Sequence, residues 1–256
     1  SELTVRGVNV ADEVLNTNAS MFLQNFGCTS VGAGTKIGQT MDLFTLDLCI
    51  VREGGALYVT MPPYLCLMGI GPRVAMVTNF LAGPVKANGV PVSHLRRDIL
   101  RKDSCADVCT RYLHHITRSN AVNFLVADDR GDMFDIEVEP DKTHIHDSER
   151  VKPLILPHDM PAGRPRQEGF LAHTNHFVSR PWTEDRVCPR LTRATALLRQ
   201  EKPLPEILED SFIDIPVMAF KDDFGFGTII KVVMDVKDKT LTYKDPFMSA
   251  WETIKL

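Results

Sequence analysis

Apolar and polar positions along the chain change over at short intervals, and strand-like segments outnumber helical stripes. Between residues 28 and 58 the pattern predicts strands joined by turns at 32–34 and at Glu53-Gly54-Gly55, where glycine permits a tight reversal. The apolar run 74–78, bounded by Pro72 and Gly83, predicts a short buried strand. Residues 121–127 and 133–138 face each other across Asp128-Asp129-Arg130-Gly131, a hairpin signal, and 143–147 can add a third strand. A closing hairpin is expected from 228–235 and 240–244.

Helical spacing occurs in three places. Ser93, just after Pro91, can cap a helix reaching Arg101, since its hydroxyl can satisfy an orphan amide of the first turn. A second helix is expected from Ser104 to about Thr117, its apolar stripe made of Ala106, Val108, Cys109, Tyr112, Leu113 and Ile116. A third spans about 190–200. Residues 151–170 hold four prolines and two glycines and read as a long surface loop. Strands grouped with strands and helices with helices indicate an α+β fold. There is no internal repeat, low-complexity tract or obvious interdomain linker.

Composition narrows the function classes. Apolar residues make up 44% and charged ones 24%, a balance that supports a sizeable core and argues against disorder. A net charge of -4 and a pI near 6.1 give no electrostatic reason to expect nucleic acid or an anionic membrane. No apolar run approaches the ~20 residues of a membrane span, and the first residues lack the order of a secretory signal. Six cysteines without a CxxC pair read as reduced thiols, which points to a cytoplasmic protein. The terminal Ile254-Lys255-Leu256 departs from a peroxisomal address at its first position.

Several patterns carry little chemistry. Cys105, Cys109, His114 and His115 lack a partner cluster at zinc spacing, and the pairs His144/His146 and His173/His176 are equally weak, so no metal is expected. Arg130-Gly131-Asp132 fits a hairpin tip. With neither a P-loop nor a Gly-x-Gly-x-x-Gly after a strand, no cofactor is expected either.

The informative stretch is Asn25-Phe26-Gly27-Cys28-Thr29-Ser30, followed by Gly38-Gln39-Thr40-Met41-Asp42. A thiol is mostly protonated at neutral pH and needs a base to act as a nucleophile. A free α-amino group, with a pKa near ~8, can be that base if the cysteine begins its chain. A Gly-Cys bond suits the required cut. The thiol can attack the preceding carbonyl, and hydrolysis of the resulting ester-like link exposes the amine. Without its context, Cys28 would read as a small buried hydrophobe.

Gly-Cys-Thr-Ser followed by Gly-Gln-x-Met-Asp resembles the penicillin (isopenicillin N) acyltransferase family of N-terminal-nucleophile hydrolases, and the related choloylglycine hydrolases. The resemblance continues through residues 77–83, Gly89-Val90-Pro91-Val92, His173-Thr174-Asn175-His176-Phe177, Arg190-Leu191-Thr192-Arg193 and Val232-Val233-Met234-Asp235. It implies a leading segment, 1–27, that autocleavage can remove, a catalytic domain, 28–256, folded as a four-layer αββα sandwich, and acyl transfer through a Cys28 thioester. The acyl group would come from a small acylated amine or an acyl thioester and go to water or an acceptor amine. A homo-oligomer stays open.

The resemblance also implies roles. Asp42 would hold the freed amine and steer the thiol, Asn175 would donate to the oxyanion, and Asn79 would add its backbone N–H. Arg190 would place a cation near the thiol or bind a substrate carboxylate, with Arg193 one turn away as the other candidate. Alone, these residues would read as a turn aspartate, a loop asparagine, a strand end and a solvated helix face. Two departures stand out. Thr40 occupies a position where the family usually has asparagine, and the 27 residues before Cys28 are fewer than acyltransferase precursors carry, which implies a trimmed form or a more open pocket. The alternative from another class is an uncleaved proenzyme or a non-catalytic binding protein on the same fold.

Overall fold

A computed structural model describes residues 27–44, 48–61, 66–147, 150–154, 169–179, 188–214, 218–219 and 225–256. The leading segment up to residue 26 and most of the expected loop, 155–168, lie outside the described residues. The chain is α+β, built on two large antiparallel sheets.

The strands in chain order are β1 (Thr29–Ala33), β2 (Lys36–Phe44), β3 (Cys49–Glu53), β4 (Ala56–Thr60), β5 (Met68–Ile70), β6 (Val74–Phe80), β7 (Val122–Asp128), β8 (Met133–Glu139), β9 (Lys142–Asp147), β10 (Arg150–Leu154), β11 (Phe170–His173), β12 (Met218–Ala219), β13 (Gly225–Asp235), β14 (Thr240–Lys244) and β15 (Glu252–Lys255). The first sheet runs β11-β1-β2-β13-β14-β15, with β12 on β13; the second runs β10-β9-β8-β7-β6-β5-β4-β3. Three α-helices are described: α1 (Val92–Ile99), α2 (Pro189–Arg199) and α3 (Leu204–Leu208).

Alternation along the strands separates three apolar clusters. Ile37, Met41, Ile230, Val232 and Met234 of the first sheet meet Val59, Ile70, Val77 and Leu125 of the second. On the other face of the first sheet, Val31 and Val233 pack against Ala194, Leu197, Ile207 and Leu208 of α2 and α3. On the other face of the second, Met76, Phe124 and Ile136 pack against Leu95 and Ile99 of α1 and against Val108 and Leu113. A strand buried on both faces reads as a continuous apolar run, and β7, VNFLVAD, is buried at every position.

Local expectations hold with informative exceptions. The turn between β1 and β2 falls after Ala33, with Gly34 at φ 59, while Gly32 stays inside β1. The strands expected over 28–58 divide between the sheets: the chain leaves the first at Phe44 and enters the second at Cys49. Helix α1 starts at Val92 with Pro91 as its N-cap, so Ser93 sits inside the first turn rather than capping it. The expected helix from Ser104 becomes a wider π turn over Asp107–Tyr112 and a 3-10 turn over Leu113–His115. Val108, Cys109 and Leu113 of its apolar stripe are buried and Tyr112 and Ile116 partly so, and the Leu113 carbonyl accepts from the Arg118 guanidinium where the helical ladder ends. Strand β10 takes up 151–154, where a loop was expected, because it pairs with β9, and β5, β11, β12 and β15 carried no signal read from the sequence. Among the described residues no helix is long and apolar enough to cross a membrane.

Candidate active site

The residues singled out from the sequence come together at strand ends of the two sheets. Cys28 directly precedes β1 and is half-buried against the apolar cluster between the sheets. Asp42 is near the end of β2, Asn79 near the end of β6, Asn175 just past β11, and Arg190 in the first turn of α2.

Asp42 is the anchor. Its side chain is fully buried, with Oδ2 2.9 Å from Arg190 Nη1 and Oδ1 accepting from Thr228 Oγ1 at 2.8 Å. Burial pushes its pKa up to about 7, although Arg190 and the Thr228 and Thr40 hydroxyls favour the carboxylate. A register shift in the β13–β2 pairing between Thr228 and Ile230 accompanies the turn of Thr228 towards Asp42.

Arg190 links Asp42 to Asn175, whose Oδ1 lies 3.3 Å from Arg190 Nη2. The Asn175 amide nitrogen donates to the Phe80 carbonyl at 2.9 Å, so its orientation is set from both ends and a second N–H remains to donate. Arg193 is turned elsewhere: its guanidinium pairs with Asp210, Nη2 to Oδ2 2.6 Å, and stands over the Phe212 ring.

Asn79 works through its side chain. Its Nδ2 donates to the Cys28 carbonyl at 2.9 Å, and its Oδ1 accepts from Ser30 Oγ at 2.5 Å and from Asn123 Nδ2 at 3.5 Å. The neighbouring Thr78 backbone is held at both N and O by the Gln39 carboxamide. By antiparallel alternation the Asn79 N–H then faces β7.

The Cys28 thiol is pushed up to about 11, first by burial and then by the Asp42 charge, against the Asp42 backbone amide, Arg190 and the Gln39 carboxamide. At neutral pH it is a thiol. Gly27 is buried beside it, and a side chain there would collide with Arg190 Nη2 and Asn175 Oδ1. The Gly27–Cys28 bond therefore lies against the groups that could act on an amide.

Sequence reasoning missed Gln39 and Thr228. Gln39 lay within the quoted motif, but its bridge to Thr78 needs the second sheet. Thr228 gave no signal, being 186 residues from its partner Asp42.

A model of the acyl-coenzyme A:6-aminopenicillanic acid acyl-transferase family matches residues 74–244, from β6 to β14. The chain belongs to this family. Within the acyl-transferase match lie Asn79, Asn175, Arg190 and Thr228, whereas Cys28 and Asp42 precede it. Solved structures share the fold. The conjugated bile acid hydrolase of Clostridium perfringens, in a mutant form, is 11% identical with a TM-score of 0.53 over 90% of this chain and 92% of its own. Penicillin V acylase from Agrobacterium tumefaciens is 12% identical with a TM-score of 0.56 over 90% and 86%. No curated protein matches in sequence.

Proposed function

We propose that the chain is a self-processing cysteine amide hydrolase or acyltransferase that cuts its own Gly27–Cys28 bond and then acts through a Cys28 thioester. One observation carries this reading: Asp42, Arg190 and Asn175 form a connected chain of contacts beside that bond, and Asn79 holds the Cys28 carbonyl. The three apolar clusters suit a four-layer αββα arrangement, the two sheets facing each other with helices outside each.

Uncut, the site lacks its base, and Gly27 fills the space an acyl group would take. Cleavage places an α-amine on Cys28, within the field of Asp42. The amine takes the thiol proton, sulfur bonds to the acyl carbon of a small acylated amine or an acyl thioester, and the second Asn175 N–H meets the oxyanion. The leaving amine or thiol departs with the proton. Water, or an acceptor amine, then breaks the thioester and restores the thiol.

The test is the intact mass of purified protein, alone and mixed with acylated amines. Two fragments divided at Gly27–Cys28, and a transient acyl adduct on the larger, are expected. A chain that stays whole and takes no acyl group after prolonged incubation rejects the reading in favour of a binding protein on an enzyme's frame. Asn175→Ala should process slowly and lose about 10²–10³ in kcat, the usual effect of deleting an oxyanion donor. Steady-state kinetics on a responsive amide will check this.

A further inference from the structure

The turn that carries Asn175 hangs from a single carboxylate of the opposite sheet. Glu137, on β8, is fully buried. Its Oε1 accepts from the Val178 backbone N–H and lies 3.0 Å from His173 Nε2, and its Oε2 accepts from the Ser179 N–H at 3.0 Å. His173 precedes Asn175 and Val178-Ser179 follow it, so one side chain grips both ends of the turn. The other ring nitrogen of His173 lies 2.5 Å from the Thr174 carbonyl. An oxygen acceptor at each nitrogen favours the doubly protonated imidazole.

The charges agree with that assignment. Burial alone would pull His173 down, but the Asp135 and Glu137 carboxylates and the Thr174 carbonyl outweigh it and raise its pKa. Burial would raise Glu137, yet the His146, His173 and Ser179 contacts hold it well below the usual carboxylate range. Asp135, on β8, and His146, on β9, complete the cluster, with His173 Nε2 3.9 Å from Asp135 Oδ2 and His146 Nε2 3.6 Å from Glu137 Oε2.

The geometry points to Glu137 as the positioning residue of the active site: its carboxylate, paired with His173, fixes the backbone of the turn so that Asn175 stands where an oxyanion forms. The assignment rests on Asn175 being the oxyanion donor. Buried ion pairs contribute little net stability compared with well-packed apolar residues of similar volume, so the value of this one lies in fixing geometry. A carboxylate suits the task because it accepts from several donors at once, whereas a carboxamide offers one acceptor oxygen. The partners of the Glu137 carboxylate are His173, His146, Val178 and Ser179 rather than Cys28, so the thiol should not register its loss.

Glu137→Gln tests this by amide hydrogen exchange, Cys28 alkylation and kinetics on the processed enzyme. Exchange of the 174–179 amides should quicken at least ~tenfold while β7 stays within about twofold, as expected for local opening rather than general loosening. Alkylation should stay within about twofold, and kcat should fall roughly ten- to hundredfold with KM within about threefold, because misplacement of a group by ~1 Å costs on that order. A second variant, His173→Gln, keeps the grip on Val178 and Ser179, so exchange should rise at 174–176 and not at 178–179.

Unchanged exchange in 174–179, a rise shared equally with β7, or an unaltered kcat overturns the assignment. If Glu137→Gln does not fold, the split between 174–176 and 178–179 in His173→Gln decides. A wild type inactive on every amide rejects the proposed function instead. The exchange measurement still decides whether Glu137 holds the turn.

Discussion

Cys28→Ala should give a folded chain that stays in one piece and turns over no amide. Little stability is at stake, because Cys28 is only half-buried and loses one sulfur atom. The chemical loss is large. Removing a nucleophile costs about 10⁴–10⁶ in kcat, and here it also removes the group that frees the amine. Intact mass and activity, measured beside wild type, read both effects. A variant still cut after Gly27 would assign the cut to another protease, and a variant that still turns over substrate would place the nucleophile elsewhere. The uncut wild type adds a pH signature. With the thiol pushed up to about 11, the thiolate fraction near pH 7 is on the order of 10⁻⁴. Alkylation of Cys28 in a precursor should therefore speed up about tenfold per pH unit through the neutral and mildly alkaline range.

Arg190→Leu should be the most damaging change that leaves the nucleophile in place. Arg190 is the cation against the buried Asp42 carboxylate and the donor that orients Asn175. Deleting one partner of a buried pair costs up to about 3–5 kcal/mol, less where the remaining group can take a proton. Asp42 can, and that sets the pH dependence. Its folded pKa, about 7, is above the ordinary carboxylate value, so the folded state binds the extra proton, and stability falls as pH rises from about 4 to about 7. Without Arg190 the folded pKa moves higher and the falling window extends above 7. The variant should thus lie within about 1 kcal/mol of wild type at pH 5 and lose about 2–4 kcal/mol at pH 8, measured by urea unfolding. Its kcat should fall at least ~10²-fold, since Asn175 loses an orienting partner. A penalty equal at the two pH values would mean that Asp42 is not the group left exposed. Arg190→Lys, a point charge without the planar fork, should recover much of the stability at pH 8 and little of the kcat.

The α+β class and most strands were legible in the sequence, because their signals are local. The 122–128 run is buried throughout, and the hairpin at Asp128 and Gly131 has its turn residues in place, with the Asp128 carboxylate accepting from the Arg130 and Asp132 amides. Helix α2 showed its periodicity. The motif around Cys28 and Asp42 was legible for a related reason: Cys28 directly precedes β1 and Asp42 is near the end of β2, its hairpin partner, so closeness in sequence becomes closeness in space.

Only the tertiary structure decided the rest. Nothing local tells β3 and β4 to leave the first sheet for the second, since strands of either sheet show the same alternation. The choice of Arg190 over Arg193 depended on which side of α2 faces Asp42, and both arginines are equally plausible on a helical wheel. Asn79 was legible as the end of a strand, but which side its N–H faces depends on which neighbour that strand pairs with. Glu137 and His173 join two sheets through a buried pair whose members are 36 residues apart. Sequence determines what each segment can form by itself. Which buried charge meets which partner is settled only when the two sheets close on each other, because a carboxylate out of water must find its donors among whatever side chains and amides the packing brings within reach.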